Sequence, residues 1–311
     1  MNASNQGLPV IDEAVCIACG ECVRVCPDRI LRIDEAGRIL IHGMTCMQCG
    51  HCYAVCPVQA VAAPFLDHDF SLTSSFYQAD ARGLPVQPAA LMELLVMRRS
   101  CRCFTAEPVA ESLLDDLVRA GVAAPSGTNC QPWRFLVLAT RMDVAILGTA
   151  TAGFYRKLNR KAAQPWLRVV LRMIGSGALQ HYYDSYFETV RQGLKAWDDH
   201  GEDRLFHGAT AAIVVAADTR AGCPGEDALL ASQNIVLMAE SMGLGSCLIG
   251  FVVEAAKRDR SITDLLGLEK HYKIYSVIAL GHTDVAYKRP AGRKPADKRI
   301  IRLAGSDTSS G

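Results

Sequence analysis

The pattern of apolar residues changes along the chain. In the first part the apolar runs are short, and the runs at 30–33 and 38–41 flank a polar stretch, 34–37, that ends in glycine. This arrangement predicts a short β-hairpin. Residues 65–88 show no periodicity and are rich in Ser, Gly and Pro, which predicts a linker. Beyond the linker the apolar runs are longer, and we expect this second part to contain the larger core.

Helical and strand-like patterns alternate in the second part. Apolar residues repeat every three to four positions where we predict helices and form short continuous runs where we predict strands. The predicted helices cover 89–97, a segment with Leu113, Leu114, Leu117 and Val118 on its apolar face, and 225–242. The predicted strands cover 134–138, 211–217, 243–251 and 272–280. Residues 141–206 show helical periodicity with many aromatic side chains and are harder to interpret.

Composition and charge narrow the class of protein. The 311 residues leave room for two domains, and 50% hydrophobic with 21% charged residues is ordinary for a soluble globular protein. The formal net charge is +1, and no long block of Lys or Arg occurs. Nucleic-acid binding is therefore excluded as the expected function.

Targeting signals are not expected. Residues 1–9 have neither a basic segment nor an apolar core, so we predict no signal peptide. The best apolar run, 166–179, is interrupted by Arg168 and Arg172, so we predict no membrane span and no membrane partner. We therefore expect a cytoplasmic protein, in which thirteen cysteines indicate metal binding rather than disulfides.

A run of four cysteines occurs twice. Residues 16–27 and 46–57 both read C-x-x-C-G-x-C-x-x-V-C-P, and the second copy starts thirty residues after the first. Three closely spaced cysteines on a curled loop can bind three corners of one iron-sulfur cube, whereas the fourth binds the other cube. The pattern therefore predicts two 4Fe-4S clusters with crossed ligands. One would be held by Cys16, Cys19, Cys22 and Cys56, and the other by Cys46, Cys49, Cys52 and Cys26.

Zinc sites and a disulfide framework are the alternatives for these cysteines. Zinc favours paired C-x-x-C units rather than a run of three cysteines, and disulfides are rare in a reducing compartment. His51 lies inside the second motif, and we expect a solvent-facing spacer, the alternative being a side chain that tunes the redox centre. The other five cysteines show no mutual ligand spacing, and we expect bystander side chains rather than redox thiols. They are Cys101, Cys103, Cys130, Cys223 and Cys247.

Residues 9–64, which contain both motifs and the predicted hairpin, resemble a bacterial two-cluster ferredoxin. The resemblance implies a module that carries single electrons. Such a module transfers electrons without selecting a substrate.

Two polar stretches follow the linker. Residues 98–104 read R-R-S-C-R-C-F, and their three guanidinium groups and hydroxyl suit a phosphate, unless they form a solvated basic helix end. Residues 124–133 read A-P-S-G-T-N-C-Q-P-W. A loop of such small residues can approach a planar heterocycle closely, although it is also compatible with an ordinary helix-to-strand connection.

These two stretches resemble the opening pair of motifs of the nitroreductase family of flavoproteins, R-R-S-x-R-x-F and P-S-G-x-N-x-Q-P-W. The resemblance implies an FMN-binding α+β fold, with a mixed sheet flanked by helices, in an intertwined homodimer that holds each flavin at the subunit interface. Arg98, Arg99, Ser100 and Arg102 would then bind the phosphate and ribityl end of FMN. The second subunit would contribute Pro125, Ser126, Gly127 and Asn129.

Later segments extend this resemblance. The sequence G-L-G-S-C-L-I-G at 243–250 is similar to the segment that runs under the flavin ring in the family, where a backbone N–H faces the flavin N5. The candidates for that position are Leu248, Ile249 and Gly250. His282 matches a closing position of the family, and Arg293 matches a late basic segment that returns to the FMN phosphate.

The two resemblances predict the domain organisation. We expect a two-cluster ferredoxin-like domain over 1–64, the linker, a nitroreductase-like FMN domain over 89–304, and a flexible tail over 305–311. Within the second domain, the aromatic-rich stretch 154–206 has two interpretations. Its rings form a lid over the flavin, or they pack a dimer or dock the ferredoxin module.

The predicted function is that of an iron-sulfur flavoprotein oxidoreductase. In the first hypothesis, a soluble ferredoxin or similar donor supplies electrons through the clusters to FMN, which reduces a nitroaromatic, quinone or enone compound. In the second, NAD(P)H as co-substrate reduces FMN, and electrons leave through the clusters to a partner protein. A non-catalytic redox sensor is the third. No side chain is predicted as a catalytic acid or base, because the chemistry belongs to the flavin N5.

Overall fold

The structure, a computed structural model, describes residues 7–43, 45–66, 68 and 86–301. The chain divides into two compact units, one formed by Met1–Met92 with Ala286–Gly311 and the other by Glu93–Val285. The last part of the predicted flavin domain, from Ala286, thus groups with the cysteine-rich unit. Most of the predicted linker and all of the predicted tail lie outside the described residues.

The first unit consists of short elements around the cysteine motifs. Its strands are β1 (Val10–Ile11), β2 (Leu31–Ile33), β3 (Ile39–Ile41) and β4 (Val61–Ala62), and its motif helices are α1 (Glu21–Arg24) and α2 (His51–Val55). β2 and β3 pair antiparallel, Leu31 with Ile41, which confirms the predicted hairpin. β1 pairs antiparallel with β4.

The sequence repeat is also a repeat of backbone conformation. Three pairs of residues, thirty positions apart, have φ angles between 53° and 76°. They are Ala18 and Gln48, Gly20 and Gly50, and Arg29 and Gln59. Each glycine directly precedes its helix, and glycine adopts this left-handed conformation without a steric penalty. The two motifs therefore fold as equivalent loop and helix units.

A four-stranded sheet forms the centre of the second unit. Its strands are β5 (Trp133–Leu138), β6 (Ala211–Asp218), β7 (Gly245–Leu248) and β8 (Tyr272–Gly281). The strand order is β5-β6-β8-β7, and every neighbouring pair is antiparallel. The predicted mixed sheet is therefore antiparallel in its named strands. Its parallel part, within the described residues, is an isolated bridge between Ser100 and Ser246.

Helices cover both faces of this sheet, and the sequence of β6 shows why. Ala212, Val214 and Ala216 face one core cluster, whereas Ile213 and Val215 face the other. Because a strand directs alternate side chains to opposite faces, a strand buried on both faces is apolar at every position. The helices of this part of the chain are α3 (Pro88–Met97), α4 (Glu111–Val122), α5 (Arg141–Ala162), α6 (Pro165–Met173), α7 (Ala178–Ser185), α8 (Phe187–His200), α9 (Pro224–Ser241), α10 (Gly250–Ala256) and α11 (Arg260–Leu265).

The predicted helices and strands of the second part are confirmed, with one difference. The strand predicted over 243–251 is shorter, because β7 ends at Leu248 and Gly250 begins α10. Apolar residues continue through the junction, so the sequence pattern does not mark the change from strand to helix. Among the described residues, the longest helices are too short or too polar to cross a bilayer.

Candidate cluster and flavin sites

Cysteines from both motifs line one cavity in the first unit. Cys16, Cys19 and Cys22 come from the first motif and Cys56 from the second. The remaining wall is apolar or glycine, and is formed by Ile11, Ile17, Gly20, Ile39, Val58 and Val61. Four thiols around a mostly apolar cavity fit the donor set of a 4Fe-4S cluster.

The electrostatics of the thiols divide the eight cysteines into the same two groups that the spacing predicts. Burial raises the pKa of the Cys22 thiol to about 11, and Cys19, Cys16 and Cys56 add to this shift. Burial likewise raises the pKa of the Cys52 thiol to about 12, with contributions from Cys49, Cys26 and Cys46. Each group thus combines three cysteines of one motif with the last cysteine of the other.

A single metal ion requires a tighter arrangement. Within the described ranges, no three His, Cys, Asp or Glu side chains are placed to share one ion. A 4Fe-4S cluster makes a different demand, because each thiolate binds a separate iron.

His51 is buried in the first unit, with 5% of its surface exposed. Its ring lies 5.4 Å from the ring of Tyr287, measured between centroids. The prediction of a solvent-facing spacer is therefore wrong. The reason is that residues after Ala286 return to this unit and cover the second motif, a contact that motif spacing does not reveal.

In the second unit, the arginine motif lies along the edge strand β7. The N–H of Cys101 donates to the carbonyl of Ser246 at 2.8 Å, next to the bridge between Ser100 and Ser246. Gly245 permits this approach, because a Cβ atom there would lie 2.8 Å from the Cys101 Sγ. Gly281 plays the same part, since its Cβ would lie 2.8 Å from the Phe104 ring. The structure thus brings together three segments that are far apart in the sequence, namely the arginine motif, β7 and the end of β8.

The positive charges of the arginine motif next to β7 suit the binding of an anion. Burial raises the pKa of the Cys247 thiol, and the charges of Arg102 and Arg98 oppose that shift, so both guanidinium groups act on the same part of β7. Arg99 is buried, and its Nη1 donates to the Arg98 carbonyl at 3.0 Å. The Ser246 hydroxyl is buried, and among the described residues it has no hydrogen-bond partner. The guanidinium groups of Arg98 and Arg102, which both act on this part of β7, fit a phosphate group.

Glu240 also faces the arginine motif. Burial raises the pKa of its carboxyl, and the charge of Arg98 and the backbone N–H of Arg99 oppose this shift. Glu240 lies in the last part of α9, so the motif packs between this helix and β7.

The loop at 124–133 is held by Asp227, which lies in the helix predicted over 225–242 and was not among the predicted site residues. The N–H of Gly127 donates to the Asp227 carboxylate at 3.0 Å, and Asp227 is buried in the first turn of α9. Thr128 and Asn129 have positive φ angles, and Gln131 N–H donates to the Ser126 hydroxyl. Pro125, Ser126, Gly127 and Asn129 therefore form one compact loop whose position depends on α9.

The segment predicted to face the flavin N5 lies where β7 meets α10. The N–H of Ile249 donates to the Val277 carbonyl at 2.8 Å and is thus used within the sheet. Leu248 is 53% exposed, and Gly250 is the first residue of α10. First-turn N–H groups have no partner inside their own helix, so Gly250 is the best placed of the three candidates.

Two further predicted residues have contacts of their own. His282 Nε2 is 4.0 Å from the Glu107 carboxylate, and Arg293 Nη1 donates to the carbonyl of Gly292. Arg293 belongs to the cysteine-rich unit, whereas the arginine motif belongs to the other.

Several aromatic side chains of the middle segment pack within the second unit. The Tyr155 hydroxyl donates to the Phe251 carbonyl at 2.9 Å, and the Tyr182 hydroxyl donates to Asn159 Oδ1 at 2.6 Å. These contacts favour packing for Tyr155 and Tyr182. Trp166 differs, because it is 63% exposed on α6.

Comparison with known proteins assigns the chain to a family. A family model described as "Nitroreductase family" matches residues 95–282, which is more than half of the chain. The chain belongs to the nitroreductase family. A second model, "4Fe-4S dicluster domain", matches residues 8–57. The protein is thus an oxidoreductase of the nitroreductase family with an N-terminal iron-sulfur domain.

Curated relatives share the nitroreductase part of the chain. An NADH dehydrogenase of Thermus thermophilus is 28% identical over 220 residues, covering 70% of this chain and 97% of the relative. A 4-nitrobenzoate reductase of Pseudomonas putida is 25% identical, covering 61% of this chain and 84% of the relative. Among solved structures, a nitroreductase with bound FMN from Bacteroides fragilis is 18% identical with a TM-score of 0.48, covering 71% of this chain and 96% of that one.

The nitroreductase match separates the predicted flavin residues into two sets. The arginine motif, the loop around Gly127 and the start of α10 all lie within residues 95–282. Arg293 lies beyond this match. Its role at the FMN phosphate stays a prediction.

Proposed function

We propose that the chain is a cytoplasmic, homodimeric iron-sulfur flavoprotein. It would pass electrons from a ferredoxin-type donor through two 4Fe-4S clusters and FMN to a small organic acceptor of the nitroaromatic, quinone or enone type. The observation that carries the proposal is the cavity lined by three cysteines of one motif and Cys56 of the other, a grouping that the pKa shifts of Cys22 and Cys52 extend to all eight motif cysteines. Paired clusters of this kind serve single-electron transfer, which a reductase using only a hydride donor does not need.

The chain's residues have separate tasks at the clusters. The thiols must lose their protons to bind iron, because the thiolate is the ligand. Burial of Cys22 and Cys52 raises their pKa and makes them poor anions without iron, so we expect iron binding to release protons from both. The apolar wall of the first cavity would limit the access of water to a bound cluster.

At the flavin site, the residues of the chain would bind FMN and orient it. Bound FMN supplies the exchange between single electrons and hydride. Arg98, Arg99 and Arg102 would neutralise its phosphate, and the N–H of Gly250 would donate toward N5. Asp227 holds the loop of Gly127 that would reach the flavin of the second subunit.

The opposite direction of electron flow is the second candidate. The names of some relatives refer to NADH or NAD(P)H. Examples are the NADH dehydrogenase of Thermus thermophilus and the putative NADH dehydrogenase/NAD(P)H nitroreductase of Archaeoglobus fulgidus. In this case NAD(P)H would reduce the flavin, and the clusters would transfer single electrons to a protein partner.

An anaerobic titration separates the two directions. The purified holoprotein is titrated with NADH, with NADPH and with a reduced two-cluster bacterial ferredoxin, while the flavin absorbance and the cluster EPR signals are recorded together. We expect the ferredoxin to reduce the clusters and then the flavin, with neither nucleotide reacting. Flavin bleaching by a nucleotide, followed by cluster signals, would establish the opposite direction.

Turnover then tests whether the protein is an enzyme rather than a redox sensor. 4-Nitrobenzoate and a soluble quinone serve as probes, because the Pseudomonas relative is named for the first. We expect reduction of at least one probe faster than free FMN achieves at equal concentration. Rates no higher than those of free FMN with every probe would support the sensor.

A further inference from the structure

The C-terminal part of the first unit runs along the helix of the second cysteine motif. Ala291 is completely buried, and a Cβ atom on Gly50 would lie 2.2 Å from its carbonyl oxygen. The N–H of Lys288 donates to the carbonyl of Ala54 at 2.8 Å. Together with the contact between Tyr287 and His51, these interactions line up residues 287–291 against α2.

Arg289 is the charged member of this segment. Its Nη1 donates to the Tyr53 carbonyl at 2.9 Å, and its Nη2 donates to the Cys56 carbonyl at 2.7 Å. The guanidinium carbon also lies 5.3 Å from the centre of the Tyr53 ring. The last carbonyls of a helix have no partner inside the helix, and the planar fork of arginine can satisfy two of them at once.

The first motif closes its helix in another way. Val23 and Cys26 occupy the positions that Tyr53 and Cys56 occupy thirty residues later. The Val23 carbonyl accepts from the Cys26 N–H at 3.3 Å, and the Cys26 carbonyl accepts from the Arg29 N–H at 3.2 Å. Backbone N–H groups thus donate to these two carbonyls in the first motif, whereas a guanidinium group donates to both in the second.

This asymmetry has an electrostatic consequence, which rests on the clusters of the proposed function. We propose that Arg289 is a positioning residue that holds Cys56 and raises the reduction potential of the cluster that Cys56 ligates. Reduction adds one negative charge to a cluster, and a fixed cation beside one of its ligands stabilises the reduced form. The two clusters, which have equivalent cysteine spacing, would thereby acquire different potentials.

The test compares variants of the full-length holoprotein by potentiometric titration followed by EPR. Arg289→Gln removes the charge, and Arg289→Lys keeps it but loses the rigid fork. Arg38→Gln is the matched control, because Arg38 lies in the same unit and pairs with Asp34 in the exposed hairpin turn. The cluster that Cys56 ligates is identified as the signal that changes in Cys56→Ser.

In Arg289→Gln we expect that one signal to become about tenfold harder to reduce, a fall of about 59 mV for one electron, with the other signal unchanged. The midpoint potential of the same signal in Arg289→Lys should lie between those of Arg289→Gln and wild type. In Arg38→Gln both midpoint potentials should equal those of wild type. Unchanged midpoints in both Arg289 variants, or equal shifts of both signals, would overturn the inference. If Arg289→Gln does not assemble the cluster, Arg289→Met serves as the second variant without the charge, and an unchanged midpoint there is equally contrary.

Failure of the proposed function gives a different result. If the wild-type protein shows fewer than two cluster signals, the proposed function itself is contradicted. If it shows two signals and neither changes in the Arg289 variants, only the proposed role of Arg289 is contradicted.

Discussion

Cys56 is the residue at which the crossed assignment of cluster ligands can be tested. It lines the cavity of Cys16, Cys19 and Cys22, although it belongs to the other motif. We therefore expect Cys56→Ser to change the same EPR signal as Cys16→Ser and to leave the signal affected by Cys46→Ser intact. Cys223→Ser, which alters an exposed cysteine of the second unit, should keep the full iron content. Loss of the Cys46 signal in Cys56→Ser would show that the ligands do not cross.

Arg98 and Arg102 allow an equally direct test of the phosphate site. Each would make charge-assisted hydrogen bonds worth about 1.5–3 kcal/mol, so removing one should weaken FMN binding roughly tenfold or more. We expect Arg98→Ala and Arg102→Ala to lose flavin during gel filtration, as measured by the ratio of flavin to protein absorbance. Arg119→Ala is the control, because Arg119 is exposed and pairs with Asp116. Wild-type flavin content in both variants would place the phosphate elsewhere.

At the scale of elements, the packing of the arginine motif against β7 depends on Gly245. Its Cβ would lie 2.9 Å from the Cys101 Cβ, an atom that cannot move without the backbone. Gly245→Ala should therefore destabilise the unit by about 1–3 kcal/mol, the usual cost of overpacking. Gly153→Ala, in the interior of α5 with open space around it, should instead stabilise by roughly 0.5–1 kcal/mol. Urea denaturation measures both, and equal stability of the two variants would contradict the close contact.

The elements differ in how well the sequence predicts them. The sequence predicts β6 because burial on both faces makes this strand apolar at each position, and it predicts the hairpin because Gly37 ends the turn. The sequence does not predict where β7 ends, because Ile249 is apolar whether it continues a strand or precedes a helix. Asp227 was missed for a related reason. An acid at a helix start has a sufficient local explanation, and its bond to Gly127 spans a hundred residues.

At the scale of the whole molecule, the chain returns to its N-terminal unit after Val285. A chain ending at Val285 would lack the segment that covers Gly50 and His51, so we expect it to bind less iron per protein. A chain ending at Ile301 retains these contacts and should bind the full amount. Iron and acid-labile sulfide assays make the comparison, and full iron in the shorter chain would show that the segment is dispensable. Flavin content, measured on the same samples, tests the prediction for Arg293.

The sequence by itself determined the nitroreductase family and the iron-sulfur repeat, and it predicted the grouping of the cysteines, because ligand spacing and backbone motifs are local properties. Tertiary structure decided what those motifs touch. The burial of His51, the hold of Asp227 on the loop of Gly127, and the contact of Arg289 with Cys56 all join residues far apart in the chain. Such contacts depend on how the chain closes on itself, and two cysteine motifs with identical spacing can therefore have different electrostatic surroundings.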